Sequence, residues 1–167
     1  TTSGSIRKYL SIPDSSDWDF GTAAFAFEFW VNPSILLSNG DTIFAQYNES
    51  QLRLSRSVLG TLGFWDGDAW IDSTAGAIKK NVWQHIVVTR ESTSSGGLKI
   101  YINGSLNASG TSTGNITGDG SALEIGRQDE GSNELPFDGF LDGIMVYKGI
   151  SFNANTVIER YQAGRAG

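Results

Sequence analysis

The clearest structural signal in the chain is the stretch WQHIVVTRESTSSGGLKIYING, residues 83–104. It contains two short runs of β-branched and aromatic residues, separated by a Ser- and Gly-rich segment. Runs of this kind, bounded by turn-forming residues, are typical of β-strands. The second run ends at Asn103-Gly104, a pair that suits the positive φ angles of a two-residue hairpin turn. The stretch therefore predicts antiparallel strands joined by tight turns.

The same pattern continues on both sides of this stretch. The chain has 21 Gly and only 3 Pro, and short alternating apolar runs lie between clusters of Gly, Asn, Asp and Ser. This pattern favours many short strands. A second hairpin is predicted at Gly67-Asp68, between GFWD and AWID. The predicted strands cover residues 9–12, 24–32, 42–47, 52–55, 61–65, 70–73, 83–90, 98–102, 122–126 and 140–147.

One helix is predicted, over residues 155–162. Thr156 and Glu159 have the spacing of a capping box, and the apolar residues that follow form one stripe. The Ser-, Thr-, Gly- and Asn-rich segment 108–121 is interpreted as a solvated loop, because strand signals resume after it. The fold class predicted from these elements is all-β with one short C-terminal helix.

Composition limits the function. A chain of 167 residues with 39% hydrophobic residues is expected to form one domain, residues 1–167, with a packed core. The net charge of −6 excludes nucleic acid as an expected partner, and no apolar run is long enough to insert into a membrane. Cysteine is absent, so disulfides and thiolate metal sites are excluded. The chain begins at Thr1 without a signal peptide, and we expect it to be a processed or excised part of a longer protein.

Five blocks resemble, in order and spacing, the laminin-G-like jelly-roll family of the concanavalin A-like lectin/glucanase superfamily. They are YLSIPDSSDWDFGTAAFAFEFWVNP (9–33), WQHIVVTRE (83–91), GLKIYINGSLNASG (97–110), LEIGR (123–127) and PFDGFLDGIMVYKG (136–149). The first block is similar to modules of marine phage and bacterial surface proteins. The resemblance implies a two-sheet antiparallel jelly-roll sandwich and a role at an outer surface.

The superfamily includes glucanases, whose catalysis depends on a pair of carboxyl groups. Retaining glycosidases place two carboxyl groups about 5–5.5 Å apart, and the glucanases of this fold carry an E-x-D-x-x-E strand that this sequence lacks. The nearest acidic pairs are Asp66/Asp68, on a turn, and Asp138/Asp142, on the closing strand. The single histidine, His85, lies within a predicted strand, which leaves no set of histidines for a catalytic metal site. We therefore predict that the protein is not an enzyme.

Trp65 and Trp70 carry the ligand-binding hypothesis. A hairpin that turns at Gly67-Asp68 places the two indoles opposite each other on one face of the sheet. They would then form a flat apolar surface beside Asp66 and Asp68. Sugar rings stack on such surfaces, while carboxylates accept hydrogen bonds from sugar hydroxyls. The alternative is that long loops cover this face as well and that both tryptophans pack in the interior.

Asp142 is the candidate metal ligand. It shares strand parity with Ile144 and Val146, and is therefore expected to point toward the core, where a carboxylate needs a partner. Either it accepts hydrogen bonds from backbone amides or a Trp N–H, or it helps to hold calcium, which takes six to eight oxygen ligands. Related modules often bind calcium, so calcium is the one cofactor raised. Trp30 and Trp83 lie in blocks typical of the family core and are interpreted as packing residues.

Two functions remain open at this stage. The first is a non-catalytic recognition module that binds a glycan or another surface polymer, at an extracellular, cell-surface or virion location. The alternative is a virion decoration or fibre domain whose contacts are to protein neighbours. A glycosidase is the third and weakest hypothesis.

Overall fold

The structure, a computed structural model, describes residues 8–36, 41–46, 50–54, 59–118, 120–128 and 135–165. A 3₁₀ turn, Ser16–Trp18, follows the first strand. The strands and the helix of these segments are β1 (Leu10–Ile12), β2 (Phe25–Pro33), β3 (Asp41–Gln46), β4 (Ser50–Leu54), β5 (Leu62–Trp65), β6 (Trp70–Asp72), β7 (Gln84–Arg90), β8 (Leu98–Ile102), β9 (Ser105–Gly110), β10 (Leu123–Ile125), β11 (Gly139–Lys148) and α1 (Ala154–Gly164).

These strands form two antiparallel sheets. The six-stranded sheet has the order β1-β10-β3-β4-β5-β6, and the five-stranded sheet has the order β11-β2-β7-β8-β9. One face of each sheet contributes to a shared core. The predicted fold class, an all-β sandwich with one short C-terminal helix, is confirmed.

Aromatic side chains hold the two sheets together. Alternate residues of β2, Phe25, Phe27 and Phe29, point into the core and are buried. The Phe27 ring lies 4.7 Å from that of Phe44 and 5.9 Å from that of Phe64, both on the opposite sheet. Inclined aromatic pairs at these distances add to the stabilisation from burial. The inner faces are therefore occupied, and only outer faces and edges remain for binding.

Helix α1 covers the outer face of the five-stranded sheet. Its Val157 packs with Ala26, Val87 and Tyr101 of the sheet and with Phe152 of the preceding loop. The first turn is capped by an Asn side chain, which accepts a hydrogen bond from the backbone N–H three residues on, at 2.9 Å. The helix thus begins one residue before the predicted start, and Asn153 replaces the predicted Thr156 as N-cap.

A buried ionic group fastens α1 to the sheet. Glu28 accepts hydrogen bonds from His85 Nε2 at 3.0 Å and from Arg160 Nε at 2.5 Å. Burial raises the pKa of Glu28, but the hydrogen bonds and the electrostatic attraction from His85 and Arg160 outweigh it and hold the pKa below its ordinary value. His85 is 1% exposed and stacks beside Tyr161 of the helix. The only histidine therefore has a structural position between sheet and helix.

Both predicted hairpins are present. Asn103 and Gly104 have φ angles of 52° and 80°, and Gly67 has a φ of 90°. The return strand β9 begins directly after Gly104 and occupies the start of the segment predicted as a loop. Predicted strand ends at residues 47 and 55 lie outside the described residues.

Candidate functional site

Trp65 and Trp70 form a cross-strand pair on the outer face of the six-stranded sheet. They are direct partners in the register of β5 and β6. Their ring centroids lie 5.6 Å apart, and the two planes are inclined by 42°. Leu62, Phe64 and Ile71 point the other way, into the core. Both indoles are half-buried, so part of each ring faces solvent, and the surface they make is angled where the sequence predicted a flat one.

Polar groups lie beside the indoles on the same face. Arg53, Gly63 and Asp72 are cross-strand partners in one row across β4, β5 and β6. The guanidinium of Arg53 lies 5.6 Å from the centroid of the Trp70 ring, and its Nε donates to Gln128 Oε1 at 3.0 Å. A cation over an indole face makes a favourable electrostatic contact. The row therefore adds charged groups of both signs to the aromatic pair.

Gly63 makes this arrangement possible. A Cβ atom at this position would lie 2.5 Å from Asp72 Oδ1 and 3.1 Å from Trp70 Cε3. Both side chains therefore lie over the bare backbone of β5, and any larger residue would displace them. Arg53 and Asp72 are additions to the site predicted from the sequence. The sequence does indicate Asp72, because it lies two residues after Trp70 in a predicted strand and side chains two residues apart point to the same face.

Asp66 is a correction to the predicted site. Its exposed fraction is 0%, and its carboxylate is used within the protein. Oδ1 accepts from the backbone N–H groups of Asp68 and Ala69, at 3.0 and 2.7 Å, and Oδ2 accepts from that of Gly114 at 3.1 Å. Burial raises the pKa of Asp66, but the hydrogen bonds from Ala69, Ser112, Asp68 and Gly114 outweigh it and lower the pKa. Asp66 therefore fixes the turn and is not accessible to a ligand.

Asp68 is exposed, unlike Asp66. Its Oδ2 accepts a hydrogen bond from Thr113 Oγ1 at 2.9 Å. The two carboxylates of the turn thus lie in different environments, one buried and one in solvent. This arrangement does not present the matched carboxyl pair that glycoside hydrolysis requires. Of the two acidic residues predicted beside the indoles, only Asp68 lies at the surface.

Asp142 is a second correction, because it is exposed and not buried. A bulge follows it: Asp142 pairs with Trp30, but the next registered pair is Met145 with Glu28. The extra residue is accommodated at Gly143, whose φ is 58° and whose N–H donates to Asp142 Oδ1 at 2.7 Å. The bulge reverses strand parity, so Asp142 lies on the outer face.

The calcium expected at Asp142 stays a prediction. In the segments described above, no group of three or more His, Cys, Asp or Glu residues is arranged to hold a metal ion. Calcium coordination needs several oxygen ligands converging on one point. Asp142 instead lines an open cleft with Trp30, Trp83, Gly164 and Arg165.

The other tryptophans have different environments. Trp18 packs partly buried against the core, at the end of the sandwich. Trp30 is half-buried and stacks on Tyr161 of α1, with centroids 6.0 Å apart. Trp83, predicted to be a packing residue, is 44% exposed. None of the described helices is long and apolar enough to cross a membrane.

The fold and the sequence identify the family. The family model described as the concanavalin A-like lectin/glucanases superfamily matches residues 3–157. The chain belongs to this family. Its two sheets and closing strand are the jelly-roll sandwich of the concanavalin A-like superfamily. A comparison with curated protein sequences finds no match.

Several solved structures are similar to the chain in fold. Domain 4 of AbnA, a GH43 extracellular arabinanase from Geobacillus stearothermophilus solved with arabinotriose, is 21% identical, with a TM-score of 0.64 over 90% of this chain and 71% of that one. A putative carbohydrate-binding protein from Bacteroides ovatus is 18% identical, with a TM-score of 0.71 over 93% and 44%. The binding domain of botulinum neurotoxin DC, solved with rat synaptotagmin II, is 15% identical, with a TM-score of 0.66 over 97% and 41%.

These likenesses show the shared concanavalin A-like fold. The chain spans less than half the length of the Bacteroides protein and of the toxin domain. A fold of this kind carries many functions, so the fold alone does not determine what this chain binds.

Proposed function

We propose that this chain is a non-catalytic carbohydrate-binding module of a secreted or surface-exposed protein. The observation that carries the proposal is the Trp65/Trp70 pair on the outer face of the six-stranded sheet, with Arg53 and Asp72 beside it. Aromatic rings stack on the apolar faces of sugars, and charged side chains nearby exchange hydrogen bonds with the hydroxyls. The described surface here has both kinds of group within one patch.

The angle between the indoles restricts the glycan. Two planes inclined by 42° match successive sugar rings that are rotated relative to each other, as in a soluble, turning chain. A flat crystalline polysaccharide needs coplanar rings and fits this pair poorly. The net charge of −6 disfavours sulfated or other polyanionic glycans. We therefore propose a neutral or weakly charged oligosaccharide as the ligand.

The comparisons support this proposal at the level of function class. Domain 4 of the arabinanase was solved with arabinotriose, and the Bacteroides protein is described as a putative carbohydrate-binding protein. A non-enzymatic role is supported by the environments of the acidic residues, since Asp66 is buried in its turn and cannot act on a substrate.

A glycan array tests the proposal. The wild-type domain is compared with the double variant Trp65→Ala/Trp70→Ala and with Ile150→Ala. Ile150 is 52% exposed and lies in the loop before α1, so this control removes exposed apolar surface elsewhere. Running the array in calcium and in EDTA shows directly whether binding depends on a metal.

The proposal is supported if wild type and Ile150→Ala bind neutral glycans and the double variant does not. The array signal should fall about tenfold or more, as for other central aromatic contacts. A folded wild-type domain that binds no glycan would contradict it, and the protein-assembly role of a decoration or fibre domain would then be pursued.

A further inference from the structure

A second surface feature lies on the opposite sheet from the Trp65/Trp70 pair. An open cleft of about 330 Å³ is lined by Trp30, Trp83, Asp142, Gly164 and Arg165. Its volume is at the lower end of the range for small-ligand pockets, about 300–1,000 Å³. The residues come from β2, β11, the C-terminal end of α1 and the residue before β7. Different parts of the chain therefore converge on it.

Aromatic rings form the apolar wall of the cleft. Trp83 is 44% exposed, and its ring centroid lies 6.4 Å from that of Phe140. An indole this exposed costs hydration free energy unless a ligand or partner covers it. Trp30 is held by its stack on Tyr161, and a Cβ on Gly164 would lie 2.7 Å from Trp30 Cζ2. The absence of a side chain at Gly164 lets the helix end approach this ring closely.

Charged groups of opposite sign complete the walls. One carboxylate oxygen of Asp142 is fixed by the Gly143 N–H, which orients the side chain. The guanidinium of Arg165 lies 5.6 Å from the centroid of the Tyr161 ring. The carboxylate of Asp142 can only accept hydrogen bonds, and the guanidinium of Arg165 can only donate them. The cleft therefore offers hydrogen-bonding groups of both kinds beside an aromatic face.

This combination selects one class of ligand. Asp142 disfavours anions and Arg165 disfavours cations, so the two charges together favour a ligand without net charge. A neutral ring that has hydroxyl groups and one apolar face satisfies every wall at once. We infer that the cleft at Trp83 and Asp142 is a second binding site, for a neutral sugar ring.

Two sites on opposite outer faces have a consequence for function. The first lies on the outer face of the six-stranded sheet, and the cleft lies on the outer face of the five-stranded sheet, beside α1. One domain would then bind two glycan chains at the same time. Two linked contacts raise the overall strength of attachment without new interactions at either site.

The test uses an array of neutral and anionic glycans on the Trp65→Ala/Trp70→Ala variant, which lacks the first site. We expect this variant to retain binding of neutral glycans. Adding Trp83→Ala, or separately Asp142→Asn, should weaken that residual binding about tenfold. Adding Tyr9→Ala should leave the residual binding unchanged. Tyr9 is 42% exposed, so this control removes a similarly exposed aromatic side chain elsewhere. Asp142→Asn keeps the test valid if Trp83→Ala does not fold.

The outcomes separate this inference from the proposed function. If wild type binds glycans and a Trp65→Ala/Trp70→Ala variant that circular dichroism shows to be folded binds none, the second site is refuted and the proposed function stands. The second site is also refuted if residual binding survives both Trp83→Ala and Asp142→Asn unchanged. If the first double variant binds as wild type does and Trp83→Ala abolishes binding, the cleft is supported and the Trp65/Trp70 site is not.

Discussion

Replacing Asp66 by Asn should destabilise the domain strongly, because its carboxylate is a structural acceptor in the interior. Oδ1 receives the N–H groups of Asp68 and Ala69, and Oδ2 receives that of Gly114. An Asn side chain can keep the first two hydrogen bonds with its amide oxygen. Its NH₂ group would then face the Gly114 N–H, leaving two donors in contact and one buried backbone group without an acceptor.

The lost charge adds to this cost. Arg90 is fully buried, and it donates to the carbonyl oxygens of Ala23 and Gly114 at 3.1 and 2.9 Å. Burial lowers the pKa of Arg90, and the negative charge of Asp66 opposes that effect. A buried donor left without an acceptor costs about 1–3 kcal/mol, and the negative charge that balances Arg90 is lost as well. We therefore expect Asp66→Asn to lower the free energy of unfolding by about 3 kcal/mol or more.

Urea denaturation followed by tryptophan fluorescence measures this difference, and a thermal melt should show a loss of roughly 10 °C. Asp68→Asn is the matched control, two residues away in the same turn. Asp68 is exposed and accepts only from Thr113 in the part of the chain that the structure describes, so its loss should cost under about 1 kcal/mol. Equal stabilities of the two variants would refute the structural role of Asp66.

Three further predictions concern stability. Gly104→Ala should lower the free energy of unfolding by about 2 kcal/mol or more, because the φ of Gly104 is +80° and an added Cβ would lie 2.6 Å from a side chain of α1. Gly96 has a φ of +73° but open space around it, so Gly96→Ala should cost only about 1 kcal/mol in the same urea assay. Asn153→Ala should remove about 1 kcal/mol by loss of the N-cap, and an unchanged denaturation midpoint would contradict the observed cap. The pKa values of Glu28 and Asp66 are lowered in the folded protein, so their stabilisation is present above about pH 4 and is lost as the pH falls through the folded-state values. Urea titrations at several pH values should show this loss. If the free energy of unfolding of Asp66→Asn depends on pH as steeply as that of wild type, the assignment to Asp66 is contradicted.

The strands and hairpins could be predicted because their signals are local. Asn103-Gly104 has positive φ at both positions, and the indoles around Gly67 are paired as the alternation predicted. The burial of Asp66 could also have been predicted. It shares strand parity with Leu62 and Phe64, which face the core, and not with Trp65. Its charge suggested the surface, but the alternation indicated the interior.

The placement of Asp142 and Trp83 could not be predicted in this way. Parity along β11 holds only if the strand is regular, and the bulge at Gly143 depends on pairing with β2, a long-range feature. Trp83 precedes β7, and its exposure depends on where the end of α1 and the closing strand lie. Neither arrangement is encoded in nearby residues, so the cleft became visible only in three dimensions.

The most direct test of the proposed glycan site is an NMR titration that monitors the indole N–H signals. The chain has five tryptophans, so each site has its own reporters once the signals are assigned by single substitutions. The best neutral glycan from the array is added to the ¹⁵N-labelled wild-type domain. The proposal predicts that the signals of Trp65 and Trp70 shift together, with one common dissociation constant, while that of Trp18 stays in place. Saturable glycan binding that leaves the Trp65 and Trp70 signals unmoved would contradict it.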